Sequence, residues 1–238
     1  QSWRNTKTMK RYGAWDIETA PMTTALALPY PEALRQPPSN YSKPETIGAW
    51  REKDRAAWEE DRIKEFSFSP RTGRIVALSI NYRGQEAIDL TAVDEKDEKD
   101  LILSGLTLLC DKGDRNDLIV GFNSRQFDWP FLMIRMCYHR IDPYAIQSHR
   151  AFWNDCNNRY SKYNVDLREM LTFGDYRAKG TLSDWSEWAG VGAKDTKGSQ
   201  VWEWVQEGNA DAIALHCRGD AHRTGAVFER VYPLYAGS

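Results

Sequence analysis

Tyr12-Gly13-Ala14-Trp15-Asp16-Ile17-Glu18-Thr19 is the stretch from which the rest of the 238-residue chain is read. Tyr12 to Ile17 is short, apolar and aromatic, the composition of a buried strand. Strand side chains alternate with period two, so Asp16 and Glu18 fall on the same face. Two carboxylates at the end of an apolar strand repel each other. A hard divalent cation with a taste for carboxylate oxygens would resolve the conflict. The plainer alternative is a strand running out into solvent with its acidic end hydrated.

Composition sets bounds on both readings. The chain is 41% hydrophobic and 28% charged, with ten Trp and eleven Tyr, enough for one domain with a full core. Net charge is −2, so nucleic-acid binding would have to come from a local patch. Cysteines stand singly at 110, 137, 156 and 217, without metal-ligand spacing. That pattern suits a reducing compartment, and with no apolar run long enough to span a bilayer it predicts a soluble, cytoplasmic protein.

Pro21 to Pro44 is Pro-rich yet carries Leu26, Leu28, Tyr30, Leu34 and Tyr41, which reads as an ordered, irregular excursion. Pro44 to Phe66 reads as a helix with a solvated charged face; Trp50 or Trp58 could alternatively offer a stacking surface over a groove. Arg74–Tyr82 and Glu86–Thr91 read as strands joined by an Arg83-Gly84-Gln85 turn. Asp94–Cys110 is amphipathic and acidic at its start, as a helix prefers. Leu118–Phe122 is another strand, and Asp128–His139 a helix with Pro130 in its first turn. Residues 141–161 read as irregular. Val165–Phe173 suggests a short helix capped by Asn164 or Asp166, and Leu182–Gly190 one capped by Thr181 or Ser183. Residues 190–198 read as a loop, and Asn209 as the cap of a last helix running to about Tyr232. The order of elements predicts an α/β mixed sheet flanked by helices.

Two further acidic positions stand out. Asp128 lies where a strand passes through Gly121-Phe122-Asn123-Ser124-Arg125-Gln126-Phe127 into a helix, a place where a simple N-cap would also put an Asp. The final helix carries an apolar stripe of Ile213, Cys217, Ala221, Thr224, Val227, Phe228 and Val231, with His216 and Asp220 one turn apart along the same side. A carboxylate there needs a partner: a His–Asp pair, an Arg218 or Arg223 salt bridge, or a metal.

The joint order, strand Asp-x-Glu, strand-to-helix Asp, late helical Asp, resembles a DEDD-type 3′–5′ exonuclease of the ribonuclease H-like fold. The likeness is greatest to the proofreading domains of family-B DNA polymerases and their predicted stand-alone relatives. Trp15-Asp16-Ile17-Glu18-Thr19 is similar to the first exonuclease motif, and Asn123-x-x-x-Phe127-Asp128-x-Pro130-Phe131-Leu132 matches the second closely. His216-Cys217-Arg218-Gly219-Asp220-Ala221 resembles the third, and the Pro37-Pro38-Ser39-Asn40-Tyr41 excursion resembles what the stand-alone relatives carry. The likeness covers most of the chain and is weakest at about 141–180. One departure concerns the general base. His216 stands four residues before Asp220, where the polymerase-like branch has tyrosine; the histidine branch places its His five before.

The resemblance implies a single exonuclease domain over 1–238, with a Pro-rich and helical insertion at about 21–69. It implies two divalent cations, Mg²⁺ or Mn²⁺, held by Asp16, Glu18, Asp128 and Asp220, with His216 taking the proton from the attacking water. Trp15, Thr19, Asn123 and Phe127 would hold the terminal nucleotides. The expected partner is single-stranded nucleic acid, DNA favoured over RNA, with a separate replication or repair protein as a further possible partner. An exoribonuclease and a catalytically weak nucleic-acid-binding module on the same fold are the alternatives.

Overall fold

β1 (Tyr12–Pro21) is the middle strand of a five-stranded sheet ordered β3-β2-β1-β4-β5. The computed structural model describes residues 9–113, 117–142, 161, 163–175, 177–192 and 198–235. β2 (Gly73–Tyr82) pairs antiparallel with β1, and β3 (Ile88–Thr91) antiparallel with β2. β4 (Leu118–Gly121) and β5 (Asn164–Asp166) run parallel to β1 on its other side. The sheet is therefore mixed, and the fold is α/β, as the order of elements predicts.

The helices are α1 (Thr23–Leu26), α2 (Pro44–Ser67), α3 (Glu98–Gly113), α4 (Asp128–Tyr138), α5 (Leu167–Leu171), α6 (Leu182–Ala189), α7 (Val201–Glu207) and α8 (Ala210–Tyr235). Alternation along β1 assigns them to two faces. Trp15 and Ile17 point into a core built with α3 and α4. Ala14 and Ala20 point the other way, against α8 and α7. Asp16 and Glu18 share this second face, as period two requires.

The β1–β2 register slips between Glu18 and Thr19. Val76 and Ala77 of β2, consecutive residues, both pack on the α7–α8 side, while Ile75 and Leu78 flank them on the other face. This is a bulge, a device that bends a strand and re-aims its side chains. It sits immediately after Glu18.

Most elements match the sequence reading. The Arg83-Gly84-Gln85 turn is present, with Gly84 at a φ of +73°. Thr181 and Asp184 form a reciprocal capping box at α6, Gly190 ends that helix in the left-handed conformation, and Asn209 Oδ1 caps α8 at Ala212 N. All seven residues of the α8 apolar stripe are buried. Two expectations are corrected. The helix expected over Val165–Phe173 is a three-residue strand, β5, followed by α5, because Asn164, Val165 and Asp166 hydrogen-bond to β4 in the parallel sheet. The segment after residue 198 forms α7, which the sequence reading leaves without an element. The irregular stretch expected at 141–161 and the loop at 190–198 fall largely outside the described residues.

Glu98 joins the layers on the α3–α4 side. Its carboxylate accepts from Ile75 N of β2 and from Arg135 Nε and Nη2 of α4, and lies 2.7 Å from His139 Nε2. Glu98 and Arg135 are almost fully buried, so the pair is satisfied inside the protein, and it fixes α4 against the sheet. No helix among the described residues is long and apolar enough to cross a membrane.

Candidate active site

Strand β1, helix α4 and helix α8 meet at one end of the sheet. β1 leaves its alternation with Asp16 and Glu18 on the α8 side, and α8 runs antiparallel across that face. Cys217 donates its thiol to the carbonyl of Asp16 at 3.3 Å, with its sulfur 3.9 Å from the Asp16 carboxylate. That contact sets the register of helix against strand. His216 Nε2 then lies 3.2 Å from Glu18 Oε1. Glu18, His216 and Asp220 each offer a donor atom, and the three atoms lie within 4.8 Å of one another. Trp204 of α7 packs edge-to-face with the His216 imidazole, ring centroids 5.5 Å apart.

Asp128 arrives by the turn from β4. Gly121 permits that turn, because a Cβ there would meet the Ser124 side chain at 2.4 Å. Asn123 adopts a φ of +62°, a conformation Asn tolerates better than most residues. Asp128 does not act as an N-cap: the cap position is Phe127, and Asp128 is the first residue of α4. Its carboxylate instead accepts from Ile17 N of β1 at 3.2 Å, between Asp16 and Glu18. Burial pushes the Asp128 carboxyl up to about 7, and the negative charges of Asp166 and Asp220 add to the effect. Burial also pushes the Cys217 thiol well above its ordinary value, with Asp16 and Glu18 contributing. Negative charge is thus crowded into a place with little water, which is the arrangement a cation relieves.

The five residues Asp16, Glu18, Asp128, His216 and Asp220 come together, although they are separated by up to 204 positions in the chain. Their donor set, carboxylate oxygens with one imidazole, fits Mg²⁺ or Mn²⁺. Of the pairings weighed on the sequence, the Arg223 salt bridge to Asp220 is present. His216 faces Glu18 across the seam, and Asp220 has Arg223 Nη1 at 3.5 Å. Arg218 turns away and pairs with Asp89.

The nucleotide-holding candidates divide. Trp15 is 1% exposed and packs edge-on against Trp129, so its ring has no face for a base. Its expected substrate contact is corrected to a core role, the inward position that alternation gives a residue next to Asp16. Phe127 is half-buried, edge-on to Phe68, which is largely exposed. Thr19 is half-buried just past the bulge, and Asn123 is half-buried in the turn. The stacking surface weighed for Trp58 is covered on one side by the Arg62 guanidinium, 4.3 Å from the ring centre. The sequence reading gives Asp166 and Arg168 no role at the site. The only signal was that Asp166 could cap a helix, which it does.

Comparison with known proteins shows the family and the fold. Residues 67–237 match a family described as a predicted 3′–5′ exonuclease related to the exonuclease domain of PolB. The matched span holds Asp128, His216 and Asp220, while Asp16 and Glu18 precede it and are joined to it by the fold. An uncharacterized protein of Methanocaldococcus jannaschii is 28% identical over 178 residues, 70% of this chain and 90% of that protein. A DNA polymerase of Archaeoglobus fulgidus is 25% identical over 171 residues, so the similar region spans only 21% of the polymerase. The family-B DNA polymerase of Pyrobaculum calidifontis superposes on 94% of this chain and 25% of its own, with a TM-score of 0.60 and 17% identity. That likeness places the sheet and its helices in the ribonuclease H-like fold. The chain belongs to the family of predicted 3′–5′ exonucleases related to the exonuclease domain of PolB.

Proposed function

We propose that the protein removes nucleotides stepwise from the 3′ end of single-stranded DNA by two-metal-ion hydrolysis of the phosphodiester. The observation that supports the reading most is the convergence of Asp16, Glu18, Asp128 and Asp220 from three separate elements around one buried, negatively charged point. These four carboxylates would hold the ions. When bound, a pair of divalent cations supplies an activated water and neutralises the leaving oxygen of an in-line displacement. In this reading Asp16 would serve both ions, Glu18 and Asp220 would complete the set for one, and Asp128 would serve the other. His216 Nε2 would receive the proton of the attacking water, the general-base task that imidazole most often performs. Near-neutral net charge favours a short groove gripping a few nucleotides over a long basic track.

A second reading has its own observation. Because His216 Nε2 stands with Glu18 and Asp220 inside one 4.8 Å cluster, it can serve as a third ligand of that ion. Calorimetric titration of Mn²⁺ into His216→Ala separates the two roles: a base leaves metal affinity intact, a ligand takes it away.

The deciding experiment digests 5′-labelled single-stranded DNA, duplex DNA and RNA side by side with Mg²⁺ or Mn²⁺. A ladder shortening from the 3′ end of the single-stranded DNA is expected. Faster loss from RNA would move the substrate to RNA. Cleavage of a circular single strand, or a ladder built from the 5′ end, would overturn the reading. Binding of the strands without cleavage would leave a binding module.

A further inference from the structure

The turn that carries Asn123 toward Asp128 is held by a residue far from it in sequence. Asp166, at the end of β5, is 3% exposed, and its carboxylate accepts four backbone N–H groups. Two belong to the first turn of α5, Arg168 N at 2.9 Å and Glu169 N at 3.2 Å. The other two belong to the turn, Asn123 N at 3.1 Å and Arg125 N at 2.9 Å. One buried carboxylate therefore caps a helix and pins a loop, and the pinned loop includes the left-handed Asn123.

The side chains interlock in both directions. Arg125 reaches from the turn to Glu169 and to the carbonyl of Asn164. Arg168 reaches back, its Nη1 donating to Asn123 Oδ1 at 3.0 Å. Arginine has only donors, so the oxygen of the Asn123 amide has to face it. The amide NH₂ is then directed away from Arg168, and the described residues give it no partner. An asparagine free to turn its amide could accept or donate; this one is set to donate.

We propose that Asp166 and Arg168 are positioning residues which present Asn123 as a fixed hydrogen-bond donor to an acceptor atom of the bound nucleic acid strand. The inference rests on the exonuclease reading and deepens it. Asp166 fixes the backbone from which Asn123 projects, and Arg168 fixes the direction of its amide. The two hold a specificity-bearing group without touching the strand.

Substituting Asn123 by Asp tests this, because a carboxylate keeps the pairing with Arg168, tolerates the same backbone conformation and cannot donate. Affinity for a fluorescent oligothymidylate is read by anisotropy in Ca²⁺, with Asp16→Asn as the background so that nothing is cleaved. Asn123→Asp should weaken binding at least about tenfold, the scale of one hydrogen bond to a strand, with an unchanged or higher melting temperature. Asn123→Leu, which brings no charge, should weaken it similarly, which separates lost donation from repulsion. Arg168→Gln should weaken binding less, since the amide is released but present. Raised KM with nearly constant kcat in the active background is expected for all three. If Asn123→Asp and Asn123→Leu bind like the parent, the inference is overturned and the exonuclease reading stands. If the parent protein binds no strand, both fall.

Discussion

The seam between β1 and α8 and the excursion between β1 and β2 are both rich in aromatics and charge, yet they are built on opposite principles. At the seam, apolar residues do the holding and acidic side chains converge on one point. Phe228, Val227, Cys217 and Ile213 are fully buried against the strand, while Asp16, Glu18, Asp128 and Asp220 converge, with His216 3.2 Å from Glu18 and Arg223 3.5 Å from Asp220. In the excursion the charges hold the structure. Arg62 of α2 donates to the carbonyls of Ala25 and Leu28 and lies over the Trp58 and Phe66 rings. Asp54 joins Tyr30 to Arg35, and Arg55 lies over Tyr30. Every charge in that list has an opposite or a dipole to meet. The contrast separates a scaffold from a candidate site: clustered like charges persist only where packing over-determines the geometry.

The largest effect expected from breaking the seam's chemistry is on rate. Asp16→Asn should lower cleavage by about 10³-fold or more, since metal-assisted charge stabilisation is worth several kcal/mol. Circular dichroism should show the fold unchanged. Cleavage at the parental rate would remove the two-metal reading. Breaking the seam's packing should act on stability instead. Phe228→Ala removes a fully buried ring at the strand and should cost about 3–5 kcal/mol in chemical denaturation. The matching change in the excursion, Arg62→Ala, removes two charged hydrogen bonds and should cost about 2 kcal/mol. Hydrogen exchange should then place the loosening in α2, with β1 protection retained. Equal global losses for the two variants would show that the excursion is not a separable layer.

How far each part could be read beforehand follows the same division. The seam was legible because alternation and helical spacing act over few residues: Asp16 with Glu18 by period two, His216 with Asp220 by one turn. The stripe from Ile213 to Val231 was legible for the same reason. What joined them was less so. The Glu18–Thr19 bulge comes from an extra residue on β2, and nothing in Ile75-Val76-Ala77 marks it locally. β5 is three residues long with polar ends, so its periodicity is too short to show, and its pairing with β4 is a long-range event. The role of Asp166 depends on a loop some forty positions away. The strand contact that the resemblance implies for Trp15 fails for a different reason: alternation gives the residue beside Asp16 to the core.

The smallest expected effects are on pH dependence, and here seam and excursion should differ in sign. The carboxyl of Asp128 is pushed up to about 7 by burial, above its value of about 4 in the unfolded chain. Between those values the folded protein binds more protons than the unfolded one, so stability falls as pH rises from about 4 to about 7. Asp128→Asn, measured by thermal melts in chelator, should therefore be more stable than the parent at pH 8. The advantage should shrink as pH drops through 7 and be gone near 4. Asp54 is the opposite case. Its carboxylate is held below the usual range by hydrogen bonds from Tyr30 and Arg35. The stability it contributes is present at neutral pH and lost as the solution becomes more acidic than its folded value. Asp54→Asn should then be less stable than the parent at pH 7, with the difference closing in acid. Adding Mn²⁺ sharpens the pair, because an ion that binds only the folded state stabilises it. It should raise the parent's melting temperature, erase the advantage of Asp128→Asn, and leave the deficit of Asp54→Asn where it was. A metal response of equal size in Asp128→Asn and the parent would show that Asp128 holds no ion.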